Sequence, residues 1–206
     1  MKRSQWVVSL GAATLALGLL LPGQSRAVTI DFETLTELDA VTTQFTGLTF
    51  ANASVLTAGS TLNEFEFPPS SGTNVVFDDG GDIQIDFSTT ALTLSGRITY
   101  SEALTLTAFD ALLNPVVTVN SLFASNLGLS GDVGSSPNEL LSLTYASGIS
   151  RVLIAGNALG GSFTLDDLTY TISGTLSQPP TTVPEPASGI LLAIGTLTFY
   201  VFRHNH

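Results

Sequence analysis

The side chains able to do chemistry in this 206-residue chain are almost all carboxylates. Asp31 and Glu33 stand two apart in "VTIDFETL", a spacing that puts both on one face of a strand. Asp166 and Asp167 are adjacent in "FTLDDLTYTI", where like charges repel unless a cation or well-placed hydrogen bonds lie between them. Paired carboxylates can hold a divalent cation or hydrolyse a glycosidic bond. Little else is on offer. His204 and His206 lie in the tail, Lys2, Met1 and Trp6 are the only residues of their kinds, and there is no Cys. Between the ends, Ser-His-Asp and Cys-His catalysis, lysine Schiff bases and the usual zinc sites are therefore excluded. The glycines are scattered as turn formers and build no phosphate cradle.

The formal net charge of −11 conceals a stronger asymmetry. Residues 28 to 183 carry Arg97 and Arg151 against sixteen carboxylates, a balance of −14. Such a surface repels phosphate backbones and anionic lipid, so no nucleic-acid partner is expected. It suits an extracellular domain kept soluble by charge.

The elements that position these groups read as short strands between Val28 and about Ser173, with no stretch of helical period. "DIQIDF", "ALTLSG", "LTLTAF", "PVVTVN" and "RVLIAG" alternate or form brief apolar runs rich in Thr and Val. The expected fold is all-β, an antiparallel β-sandwich of jelly-roll type. "FDDGGDI" has the composition of a hairpin loop between Val75–Phe77 and Ile83, with a calcium loop as the sharper alternative. Phe163 and Leu165 share one parity whereas Leu168, Tyr170 and Ile172 share the other, so the spacing predicts a β-bulge or break at Asp166–Asp167. Tyr100, Tyr145 and Tyr170 are the aromatics that could stack on a sugar, although core positions suit Tyr145 and Tyr170 better.

Both ends read as addresses. Residues 1–27 combine Lys2 and Arg3, an apolar helix-forming run from Trp6 to Leu21, and small residues Ser25 and Ala27, which together form a signal peptide cut between Ala27 and Val28. Residues 28–174 then form the ectodomain and 175–182 a Pro-rich linker. Residues 187–202 carry no charge, enough for a single transmembrane helix about 24 Å long that only marginally spans a hydrocarbon core of about 30 Å. Arg203 behind it favours the cytoplasmic side.

The order Val183, Pro184, Glu185, Pro186, Ala187, Ser188, then an apolar span and a basic end, resembles the PEP-CTERM sorting signal of exported bacterial proteins over residues 183–206. The resemblance implies recognition by an exosortase-like membrane enzyme, in bacteria that make exopolysaccharide. Only Arg203 is firmly cationic in "RHNH", where that family usually has a more basic cluster. The opening "DFE" and closing "LDDL" look like the galactose-binding-like jelly rolls. That likeness implies neighbouring first and last strands and one structural Ca²⁺ near them, with Asp31, Glu33, Asp166 and Asp167 as candidate ligands.

Together these readings describe an exported protein that passes through the inner membrane of a Gram-negative-type cell to the surface or extracellular matrix. Its β-sandwich is expected to be non-catalytic and structural, adhesive or glycan-binding, with an extracellular polysaccharide as partner. The alternatives are a carbohydrate-active enzyme using paired carboxylates and a periplasmic domain held permanently at the membrane.

Overall fold

The computed structural model describes residues 25–173, and among these every regular element is a strand. In chain order they are β1 (Ser25–Ile30), β2 (Leu48–Ala51), β3 (Ala53–Thr57), β4 (Asn74–Asp79), β5 (Ile83–Tyr100), β6 (Thr105–Phe109), β7 (Pro115–Asn120), β8 (Glu139–Ala155) and β9 (Gly160–Ser173). All the pairings between them are antiparallel. The signal segment before Ser25, the linker, the Val183–Pro186 motif and the 187–202 span lie outside the described residues.

The two longest strands organise the molecule. "DIQIDF" and "ALTLSG" belong to one 18-residue strand, β5, because Ser88, Thr89 and Thr90 between them contain no Gly or Pro to stop the chain. The first part of β5 pairs with β2 and with the second part of β8, through Ile83↔Ile154 to Asp86↔Arg151. Its second part pairs with β9 and with the first part of β8, through Thr93↔Thr144 to Ile98↔Glu139. Register shifts between Asp86 and Thr93 mark the corner. Opposite them Gly148 of β8 has φ +102°, a conformation that glycine adopts without a side-chain penalty.

The sheet is thereby divided into two leaves. One has the order β3-β4-β9-β5-β8 with β1 also on β9, and the other runs β2-β5-β8-β6-β7. Ile83, Ile85, Val152, Ile154 and Leu106 from one leaf pack in a single core with Leu94, Ile98, Leu143, Leu165 and Leu168 from the other. This is an antiparallel β-sandwich, with alternate residues inside as a half-buried strand requires. Phe32, Phe45 and Phe50 extend the core as an edge-to-face trio with centroids 5.7 to 6.4 Å apart.

Two local expectations change. The Asp78–Asp82 turn forms, with Gly80 and Gly81 at positive φ, but it is not a hairpin: β4 pairs with β3 and β9, whereas β5 pairs with β2, β8 and β9. The turn carries the chain between leaves, and Asn52 holds it by donating from Nδ2 to the Asp82 carbonyl and accepting from the Asp79 N–H. At the start, β1 ends at Ile30 and Phe32 takes φ +61° while its ring is fully buried. Asp31 and Glu33 consequently stand in a turn rather than on one strand face.

Candidate functional site

Because β1 pairs with β9 from Ser25↔Ser173 to Ile30↔Leu168, the first and last strands are neighbours. The expected cleavage junction lies inside this ladder, with Ala27 opposite Thr171 and Val28 opposite Tyr170. Just beyond it, the turn at Phe32 sends the two flanking carboxylates in different directions. Asp31 Oδ1 accepts the Glu33 N–H at 3.2 Å, the local bond that Asp makes in tight turns. Glu33 reaches across to the chain before β4, where it accepts the N–H groups of Thr73 and Asn74 at 2.9 and 2.7 Å.

Asp166 and Asp167 hold the same segment from the other side. The register runs Ser95↔Thr169 and Arg97↔Asp166, so β9 has one residue more than β5 in this interval. Asp167 has φ +46°, and the bulge that the parity change predicts is present. It keeps Leu165 and Leu168 in the core. Asp166 is 1% exposed and accepts the N–H groups of Ser70, Ser71 and Asp167 at 2.7, 2.9 and 2.7 Å. Asp167 accepts the Ser71 hydroxyl at 2.8 Å. Burial without a cation raises the Asp166 carboxyl to about 6, against the lowering effect of its backbone donors and with a further rise from Asp167.

Three of the four candidate ligands therefore converge on residues 70–74, and Asp31 does not. Glu33 and Asp166 spend their oxygens on backbone amides, and Asp167 accepts the Ser71 hydroxyl. Among the described residues no group of three or more His, Cys, Asp or Glu side chains is placed to share a metal ion.

The same device recurs at carboxylates outside the four candidate ligands. Asp78, fully buried in β4, accepts from the Ser162 N–H, the Ser162 hydroxyl and the Phe163 N–H; burial raises its carboxyl. Glu66 accepts from Leu129 and Ser130, and Asp132 from Ala124 and Ser125. Glu139 accepts from the Leu122 N–H and the hydroxyl of Tyr100. Burial first, then Glu139, push that fully buried tyrosine up to about 12. A sequence signal existed at Asp78 alone: a carboxylate in the apolar run "NVVFDD" with no cation near it in the chain.

A groove of about 570 Å³ opens beside β1. Its floor includes Val28, Phe45, Phe87 and Tyr170, and its rim includes Arg26, Asp31, Thr46, Ser88 and Thr89. Phe87 and Tyr170 meet edge-on at 5.4 Å and are 8% and 6% exposed, so they offer edges rather than a stacking face. Gln44 also lines the groove but is committed, accepting from the Thr42 N–H and donating to the Ala40 carbonyl. The groove has hydroxyls at its rim and an apolar floor, with no face of Phe87 or Tyr170 open for stacking.

No protein-family model matches the chain, and no curated protein sequence matches it. Several solved structures are similar to it. The K2 cleaved adhesin domain of Lys-gingipain is 17% identical over 71% of this chain and 100% of that one, with a TM-score of 0.46. The K1 cleaved adhesin domain of Lys-gingipain from Porphyromonas gingivalis W83 is 9% identical over 74% of this chain and 100% of that one, with a TM-score of 0.42. The CBM35 from Paenibacillus barcinonensis is 17% identical over 72% and 99%, with a TM-score of 0.37. Likenesses this distant carry no ligand across, and the functional reading rests on the residues of this chain.

Proposed function

We propose that this is an exported cell-surface or extracellular-matrix protein, delivered by an N-terminal signal and a PEP-CTERM-like tail, whose jelly-roll-type β-sandwich is a non-catalytic structural, adhesive or glycan-binding module. The observation that carries the non-catalytic part is where the carboxylates spend their oxygens. Among the described residues, fourteen of the sixteen acidic side chains accept a hydrogen bond from the protein itself. A general acid must hold its proton within reach of a substrate oxygen. Asp166 has a suitably raised carboxyl, yet Ser70 and Ser71 cover it, and that supports a scaffold over a hydrolase.

For export, the support is the sequence: two prolines keep Glu185 extended and clear of the apolar run that follows. Processing by an exosortase-like enzyme at this motif is tested by deleting Pro184–Pro186 and weighing the surface-located protein by mass spectrometry. The expected result is failure to reach the surface in processed form. Normal delivery of a full-sized chain that retains Phe202 overturns the sorting reading.

A further inference from the structure

The outward face of β1, β9, β5 and β8 carries a two-row array of hydroxyls. Outward side chains alternate with core ones, and the registers align them across strands. One row is Thr29–Thr169–Ser95–Ser142, from the pairs Thr29↔Thr169, Ser95↔Thr169 and Ser95↔Ser142. The next is Thr171–Thr93–Thr144, from Thr93↔Thr171 and Thr93↔Thr144. All seven are at least partly exposed. The four-strand row spans about 14 Å and the three-strand row about 10 Å, and they lie about 7 Å apart along the strands. Farther along the same face Thr99, Thr164 and Asp166 are buried. Ser70 and Ser71 cover Asp166, and Asn138 covers Thr99. The open rows thus end at a wall made by these loops.

Two properties single out this face. The first is charge: sixteen carboxylates stand in the described domain, but none is in either row, and in the next row along Arg97 stands between Leu140 and Asp166, whose carboxylate Ser70 and Ser71 cover. The second is order: the Oγ1 atoms of Thr29 and Thr169 are 2.8 Å apart and those of Thr93 and Thr171 are 2.7 Å apart, which fixes two hydroxyl pairs with capacity left for an outside partner. Docking here costs the hydration of seven hydroxyls. A polyanion is repelled by the domain's charge, and a hydrocarbon surface leaves the hydroxyls unpaired. A neutral chain dense in hydroxyls replaces the lost hydrogen bonds without a charge penalty.

We infer that this sheet face, rather than the groove beside β1, is a docking platform for a neutral polysaccharide laid flat across β1, β9, β5 and β8. The inference rests on the glycan-binding reading of the module and names its surface and the charge class of its ligand.

The test is retention of the full chain on microcrystalline cellulose and curdlan, two insoluble neutral glucans, with polygalacturonate beads as the anionic comparison. Retention on at least one glucan and not on polygalacturonate is expected. The triple variant Thr93→Val, Thr144→Val, Thr171→Val keeps side-chain shape and strand preference, and should lower retention about tenfold, the loss of roughly one good hydrogen bond. The groove-rim variant Thr46→Val, Thr89→Val should bind as wild type does. Thr144→Val alone, at an exposed site, still has to weaken retention if the triple variant does not fold. Full retention by the face variants with loss in the groove variant overturns the platform and leaves glycan binding standing. Absence of wild-type retention on both glucans overturns the glycan reading and the platform with it. Restriction of ice-crystal growth without glucan retention assigns the array to ordered water and also overturns the proposal.

Discussion

Asp166 is where burial and hydrogen bonding oppose each other most directly. Three N–H donors favour its charged form, and loss of water disfavours it more, so its carboxyl rises from 3.8 to about 6. A raised acid binds its proton more tightly in the folded chain than in the unfolded one. Folding stability from this group is therefore full below about 4 and falls as pH rises through about 6. The loss is at most roughly 3 kcal/mol by the value of one pKa unit. Asp78 is raised for the same reason and adds the same sign. Glu37, Glu66 and Asp110 are partly exposed carboxylates lowered by hydrogen bonds from Thr61, Leu129 and Asn114, and they lose their contribution as pH falls below the ordinary carboxylate range. The protein should be most stable on the acid side of neutrality. Urea unfolding at pH 5 and pH 7.5 measures this, with Asp166→Asn expected to flatten the decline; an unchanged slope in that variant removes the assignment to Asp166.

At the scale of elements, the corner of β5 and β8 determines whether the sheet can fold over its core. A Cβ on Gly148 would stand 2.7 Å from Thr90 Oγ1 and 2.8 Å from Thr90 Cβ, with φ at +102°. Neither atom is the far end of a flexible chain. Gly148→Ala should cost roughly 3 kcal/mol, the sum of strained backbone and overpacking. Gly161 also has positive φ, +74°, but its Cβ would meet nothing within 4 Å, so Gly161→Ala should cost only about 1 kcal/mol. Equal losses in denaturant unfolding would show that packing at the corner is not the cause. Strands and the Asp166–Asp167 bulge were legible because parity is a local property of a few residues. The stop at Ile30 was not, since Val28, Ile30 and Phe32 keep an unbroken alternation and only the aromatic trio draws Phe32 out of it. Nor was the pairing of β4 and β5 with separate partners, for a good turn sequence at Gly80–Gly81 cannot report which strand is nearest in space. The hydroxyl rows share this limit: each strand shows its Thr and Ser, but their alignment depends on registers between residues as distant as Thr29 and Thr169.

The whole described domain carries three arginines against sixteen carboxylates and one ion pair among its described residues, Arg151 with Asp86 at 2.6 Å. A protein so short of cations can satisfy carboxylates with metal ions or with its own amides, and the two solutions respond differently to calcium. Charge-assisted bonds from amides are internal and need no ligand. The remaining repulsion between carboxylates is a diffuse field that any added salt screens. Hence the melting temperature should rise modestly with NaCl, and CaCl₂ or MgCl₂ at matched ionic strength should give similar increments, with EDTA having no effect beyond its own ionic strength. A structural Ca²⁺ held by Glu33, Asp166 and Asp167 gives another curve: saturable stabilisation by calcium at concentrations that leave NaCl without effect, because only the folded state binds it. Glu33→Gln separates the two cases further. Its amide oxygen can still accept the Thr73 and Asn74 N–H groups, so an amide-latched loop loses about 1 kcal/mol with the calcium response unchanged, whereas a cation site loses the response altogether. The second pattern would move these carboxylates from holding a loop to holding an ion.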